Sequence, residues 1–191
     1  MLANMPRPPK ARAPLKHAAL DLFVTRGVHA AGIRDIAKHA GCSEAALYRH
    51  WASKEDLVAN LFREHLAEVR VALEAAIGGE TTLDGQARAA CAACYRLYDE
   101  QPLVFRFVML VQHELAKDLP PELRMPQDII TDMIAAAVKR GEAAGDPVLL
   151  AAAVIGIFLE TATFVIYGRL PGPLTAYIEP VTASALRVLR S

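Results

Sequence analysis

Aromatic residues are scarce at 6% of the chain, and its one Trp stands in the run Tyr48-Arg49-His50-Trp51. No stretch of alternating β-branched and polar residues lies between turn signals, so a sheet is excluded as the organising element. The three cysteines are an odd count, and no apolar signal-peptide core precedes them. A disulfide scaffold is therefore excluded, and a reducing cytoplasm is the expected location. Long uncharged runs are also missing. In "PVLLAAAVIGIFLETATFVIYGRL" (147–170), Glu160 interrupts after 13 residues, short of the roughly 20 that a membrane span requires. A buried or interfacial helix is expected there, with no membrane partner.

What is present points to helices. Hydrophobic residues make up 53% of the 191 positions, which excludes a disordered chain. Stretches rich in Ala, Leu, Glu and Arg lie between clustered prolines and glycines, as helix formers do between breakers. Net charge is zero but unevenly placed. Residues 1–54 hold nine Lys/Arg against three acids, whereas the remainder holds 12 basic and 18 acidic side chains. A basic front on an acidic body suggests a polyanionic partner for the front alone. Residues 1–13, with Arg7, Lys10 and Arg12 among prolines, read as a disordered basic arm.

Apolar positions Leu15, Ala18, Ala19, Leu22 and Phe23 form an amphipathic stripe that ends at Gly27. A short helix is expected over 33–39, then Gly41, then another from Ser43 to about His50 with Ser43 as its cap. Ser53 and Asp56 make a capping-box pattern that opens a long helix toward Gly78-Gly79, with Lys54 at its start facing out. Further helices are expected over roughly 83–100, 103–116, 126–144, 147–169 and 174–189. Pro180 should kink the last of these or mark its true start.

Two short helices joined by a tight glycine turn are the pattern of a helix-turn-helix. Ala37 allows close crossing, Gly41 supplies the left-handed backbone, and Leu47 points back toward Ile36 and Leu22. The outward face of the second helix is then Glu44, Ala45, Tyr48 and Arg49, flanked by Arg34 and Lys54. Such a helix enters the major groove with its first residues against base edges.

"IRDIAKHAGCSEAALYRHWASKEDL", preceded by "LKHAALDLFVTRG", resembles the N-terminal domain of TetR-type (tetracycline-repressor-like) transcriptional regulators over about residues 15–62. The resemblance implies a three-helix DNA reader joined by a long helix to a helical ligand-binding and dimerisation body. It places Arg34, Ser43, Glu44, Ala45, Tyr48, Arg49, His50 and Lys54 where the family meets DNA. Tyr48 and Lys54 match its usual phosphate-contacting types, and Glu44 and Ala45 occupy its variable base-reading positions. Ala31-Gly32 stands where the family often has two threonines, Ala45 where glycine is customary, and Trp51 where Phe is usual.

Other chemistries fit the sequence less well. His50 lacks the second partner that general acid–base catalysis needs. Cys91 and Cys94 invite a redox or zinc reading, yet no βαβ pattern and no second ligand pair accompany them, so packing thiols are the plainer account. No metal, cofactor or catalytic set is expected. In "LVFRFVMLVQH" and the apolar helix beyond it, Phe105, Met109, His113, Phe158, Glu160 and Phe164 are either ordinary core or the lining of a family-type cavity for an unknown small-molecule effector. Glu160 needs a partner or a ligand, or else a place at a dimer interface. The small residues Ala151–Ala153, Gly156 and Ala162 make 147–169 and 174–189 the candidate dimer helices.

The expectation is thus an all-α chain, with a helix-turn-helix domain at 14–60 and a helical regulatory and dimerisation domain at 61–191. Its expected function is that of a ligand-responsive repressor, homodimeric on a palindromic double-stranded DNA operator. The rival is a small helical enzyme or ligand-binding protein whose basic front is incidental.

Overall fold

The computed structural model describes residues 11–115 and 123–191, the side chains of His113 and Glu114 excepted. Among these residues every regular element is helical: α1 (Arg12–Arg26), α2 (Ile33–His39), α3 (Glu44–Tyr48), α4 (Lys54–Gly78), α5 (Leu83–Glu100), α6 (Pro102–Leu115), α7 (Pro126–Arg140), α8 (Pro147–Ile166) and α9 (Ile178–Leu189). A 3-10 turn, Leu174–Tyr177, leads into α9. Pro180 falls in the first turn of α9 and so marks its start.

The chain divides into two compact units at His65–Leu66, within α4. The first unit also includes the segment that begins at Leu103. In this unit α1 packs on α2 and α2 on α3. Leu15, Ala18, Ala19, Leu22 and Phe23 are all buried, as their spacing requires, together with Ile36, Ala37, Leu47, Leu57, Leu61 and Phe62. Phe107 of α6 stacks on Phe23, ring centroids 5.8 Å apart.

α1 starts three residues before Leu15, so Arg12 and Ala13 belong to the helix and not to the arm. Glu64 of α4 supplies the reason. It receives Arg12 at 2.9 Å and also pairs with Lys16, which fastens the first turn of α1 to α4. Pro14 is tolerated because a first turn needs no intrahelical donor.

The turn between α2 and α3 is closed by backbone alone. Gly41 takes φ +64°, its N–H donates to Lys38 O at 3.1 Å, and the Cys42 N–H donates to Ala37 O at 2.9 Å. This is a Schellman closure, and it requires the left-handed conformation that glycine adopts without penalty. The same pair of bonds at Gly141 and Glu142 ends α7 at Arg140 rather than at 144, and a third set at Gly168 and Arg169 ends α8 at Ile166 rather than at 169.

In the second unit α8 packs on α7 and α9, and α5 on α9. Leu83, Met133, Ile134, Ala137, Ala151, Val154 and Leu189 share one core cluster. Asp146 caps α8, accepting the Val148 and Leu149 N–H groups at 3.0 and 2.9 Å, and Pro147 stands at the first helical position. Asp99, at the end of α5, accepts the Leu174 and Thr175 N–H groups, both at 2.9 Å, and so holds the 3-10 turn against that helix.

Candidate nucleic-acid interface

The five residues of α3 form little more than one turn, so their facing is set by what they bury. Ala46 and Leu47 are buried, while Glu44, Ala45, Tyr48 and Arg49 are exposed. At 100° per residue the four exposed positions span one side of the helix and the two buried ones the other. The Ser43 hydroxyl accepts the Ala46 N–H at 3.2 Å, which caps the helix as its sequence predicts. Regular helix stops at Tyr48, two residues short of His50, with Arg49 at the C-cap.

Trp51 explains why so short a helix holds its orientation. Its side chain is only 2% exposed, its backbone N–H donates to Leu47 O at 3.1 Å, His50 lies tilted against the ring, and the Arg12 guanidinium sits 5.9 Å above it. Tyr48, three positions earlier, is 52% exposed. A large apolar ring left in water beside Arg49 is a poor use of surface unless something covers it.

The basic side chains of this unit fall into two groups. Arg12 and Lys16 pair with Glu64. Lys54 does not face freely outward as the sequence suggests: it is half-buried, and its ammonium donates to Val28 O at 3.1 Å and His29 O at 3.3 Å. That leaves one of its three N–H donors for another acceptor. Arg34 and Arg49, by contrast, are exposed and have no ion-pair or hydrogen-bond partner among the described residues. Lys38, exposed on α2, shares that freedom and was missed by sequence reasoning, although its i+4 spacing from Arg34 places the two on one helix face. Free cations around an exposed tyrosine suit phosphate and base contacts.

The start of α4 follows the sequence with one change. The Ser53 hydroxyl accepts the Asp56 N–H at 3.1 Å, but the Asp56 carboxylate returns to the Ala52 N–H at 3.0 Å, one residue earlier than a capping box requires. At α2, Gly32 occupies the N-cap with no side-chain bond, and the helix still begins at Ile33.

The suggested cavity residues come from both units. Phe105 and Met109 are half-buried in the first unit, and the His113 side chain lies outside the described ones. Phe158 stacks on Tyr95 of α5 with centroids 4.6 Å apart, on the inner side of α8. Glu160 and Phe164 lie on the exposed side of the same helix.

The protein around the two α5 thiols suppresses their ionisation. Burial pushes Cys91 up to about 11 and Cys94 up to about 12. Neither is a nucleophile near neutral pH, which removes the basis of a thiol sensor. Iodoacetamide at pH 8 is expected to leave both unmodified until the protein is unfolded, as peptide mass mapping would show. Rapid labelling of the folded chain at either position would contradict this. The folded state also holds these protons where the unfolded chain, with thiols near 9.0, releases them, so their contribution to stability is complete below pH 9 and falls as the pH rises toward about 11.

A family model for bacterial regulatory proteins of the tetR family matches residues 15–61. The HTH-type transcriptional activator FasR of Mycolicibacterium smegmatis is 25% identical over 155 residues, covering 80% of this chain and 71% of FasR. The fold agrees with that of the fatty acid degradation regulator FadR of Bacillus halodurans at a TM-score of 0.80 and 20% identity, over 91% of this chain and 93% of the other. Residues 15–61 thus carry a DNA-binding domain of the tetR-family type. The chain is a DNA-binding transcriptional regulator, with an N-terminal helix-turn-helix domain and a C-terminal helical domain. The HTH-type repressor KstR2 of Mycobacterium tuberculosis is 44% identical over 55 residues, but these are 29% of this chain and 28% of KstR2. The likeness to KstR2 thus extends over less than a third of either chain.

Proposed function

We propose that this regulator is a cytoplasmic repressor of the TetR family that binds a palindromic operator as a homodimer and releases it when a small molecule binds its helical body. Residues 14–60 would form the reading domain and 61–191 the regulatory and dimerisation domain. The observation that carries the reading is the exposed face of α3, with Tyr48 beside Arg49, and Arg34 on the preceding helix without a partner among the described residues. Arg34, Ser43, Glu44, Ala45, Tyr48, Arg49, His50 and the remaining donor of Lys54 are the proposed DNA contacts.

The dimer rests on α8. Leu149, Ala153, Gly156, Glu160, Phe164 and Tyr167 are all exposed and recur every three or four residues, a single stripe opposite the buried Ala151, Val154 and Ala162. Leu149 and Tyr167, at 71% and 72% exposure, bound an apolar face too extensive to leave in water. The helix is long and apolar enough to cross a membrane by length and composition, yet Glu160 sits in the middle of its open stripe. Pairing with α8 and α9 of a second copy covers the stripe around small residues, and a two-fold pair offers two α3 helices to two half-sites. Glu160 and Phe164 are accordingly assigned to this interface in preference to the effector cavity.

Selection from random duplexes at low salt tests the reading. The purified chain is expected to enrich an inverted repeat, with an affinity that falls steeply as salt rises because phosphate contacts release counterions. Recovery of no preferred sequence would sink the reading. Turnover of a small molecule that survives loss of the α3 face would favour the enzyme alternative.

A further inference from the structure

Glu44 is out of place on a surface meant for DNA. It is an exposed carboxylate at the start of α3, on the same side as Tyr48 one turn later, and no described residue pairs with it. An ionised carboxylate is an acceptor only. Against the phosphate backbone it is repelled, so on arbitrary DNA it weakens binding. The repulsion is offset only where the groove presents a donor. Guanine and thymine offer acceptors at their major-groove edges. Adenine offers an amino group flanked by the N7 acceptor. Cytosine offers its N4 amino group beside a C–H. Ala45, next on the exposed face, adds a methyl and no hydrogen bond, so discrimination at this end of α3 falls to Glu44.

We propose that Glu44 is a base-selecting residue, whose carboxylate accepts a hydrogen bond from one cytosine amino group in each half-site and disfavours the other bases there. This rests on the operator-binding reading above. Glu44 also lies in the first turn of α3, where negative charge favours the helix. That role alone would change stability and leave base preference untouched.

The test is selection from random duplexes with the full chain, Glu44→Gln and Glu44→Ala in parallel. The parent is expected to enrich cytosine at one position per half-site, by about tenfold or more over the other bases. Glu44→Gln should move that position to adenine, because an amide both donates to N7 and accepts from N6. Glu44→Ala should flatten the same position and leave the rest of the half-site unchanged. Both variants should bind scrambled duplex a few-fold more tightly than the parent, having lost a repelled charge. If the parent and both variants enrich identical sequences, Glu44 does not select a base and the proposal is overturned while operator binding stands. If the parent enriches nothing, operator binding falls, and this proposal with it.

Discussion

Trp51→Ala is expected to cost about 3–5 kcal/mol, the range for deleting a large buried aromatic side chain. Few domains have much more than twice that in reserve. The ring is 2% exposed and underlies the end of α3, with Leu47, which is fully buried, one turn before it. Removing it leaves a cavity that a five-residue helix is too short to bridge by itself, since an isolated turn is unstable without tertiary contacts. Urea unfolding followed by circular dichroism should show the loss as a lowered midpoint, and DNA binding should vanish with it. Trp51→Phe keeps a ring in place and should cost less. A midpoint for Trp51→Ala within 1 kcal/mol of the parent would mean that the ring does not anchor the DNA-reading face.

The opposite pattern is expected when Tyr48 and Arg49 are both changed to alanine. Both side chains are exposed, and neither has a side-chain partner among the described residues. Folding should therefore move by no more than about 0.5 kcal/mol. Operator affinity should fall by roughly 100-fold or more, and the slope of log K against log salt should shrink by about 0.9 for each phosphate contact removed. Measured by fluorescence anisotropy on a labelled duplex, unchanged affinity in this double variant would dissociate α3 from DNA binding. Lys54→Ala would not separate the two effects so cleanly. Its ammonium donates to the Val28 and His29 carbonyls, so its removal withdraws a charged hydrogen bond from the fold as well as a candidate phosphate contact.

These two variants also show what was legible from sequence alone. The exposure of Tyr48 and Arg49 follows from helical periodicity once Gly41 fixes where α3 begins. α2 and α5 run over 33–39 and 83–100 as the sequence predicts, because Gly41 and Pro102 punctuate them. α7 was overextended because Gly141 and Gly145 are both plausible terminators, and only the bonds from Gly141 and Glu142 to the last turn decide between them. The carboxylate of Asp99 holds a turn 75 residues away, and no local pattern signals a pairing so distant. Lys54 was misplaced for the same reason, since its acceptors lie in the loop after α1. For α8 the apolar content was visible from the start, but nearly every position is apolar, so sequence could not separate the inner side of Phe158 from the outer side of Glu160 and Phe164.

Hydroxyl-radical footprinting of the chain on its selected operator tests the central claim most directly. A twofold pair of α3 helices in successive major grooves predicts two protected tracts on one face of the duplex, separated by about one helical turn or a multiple of it, near 10 bp each. Protection of a single tract, or even protection along the whole duplex, would contradict the account.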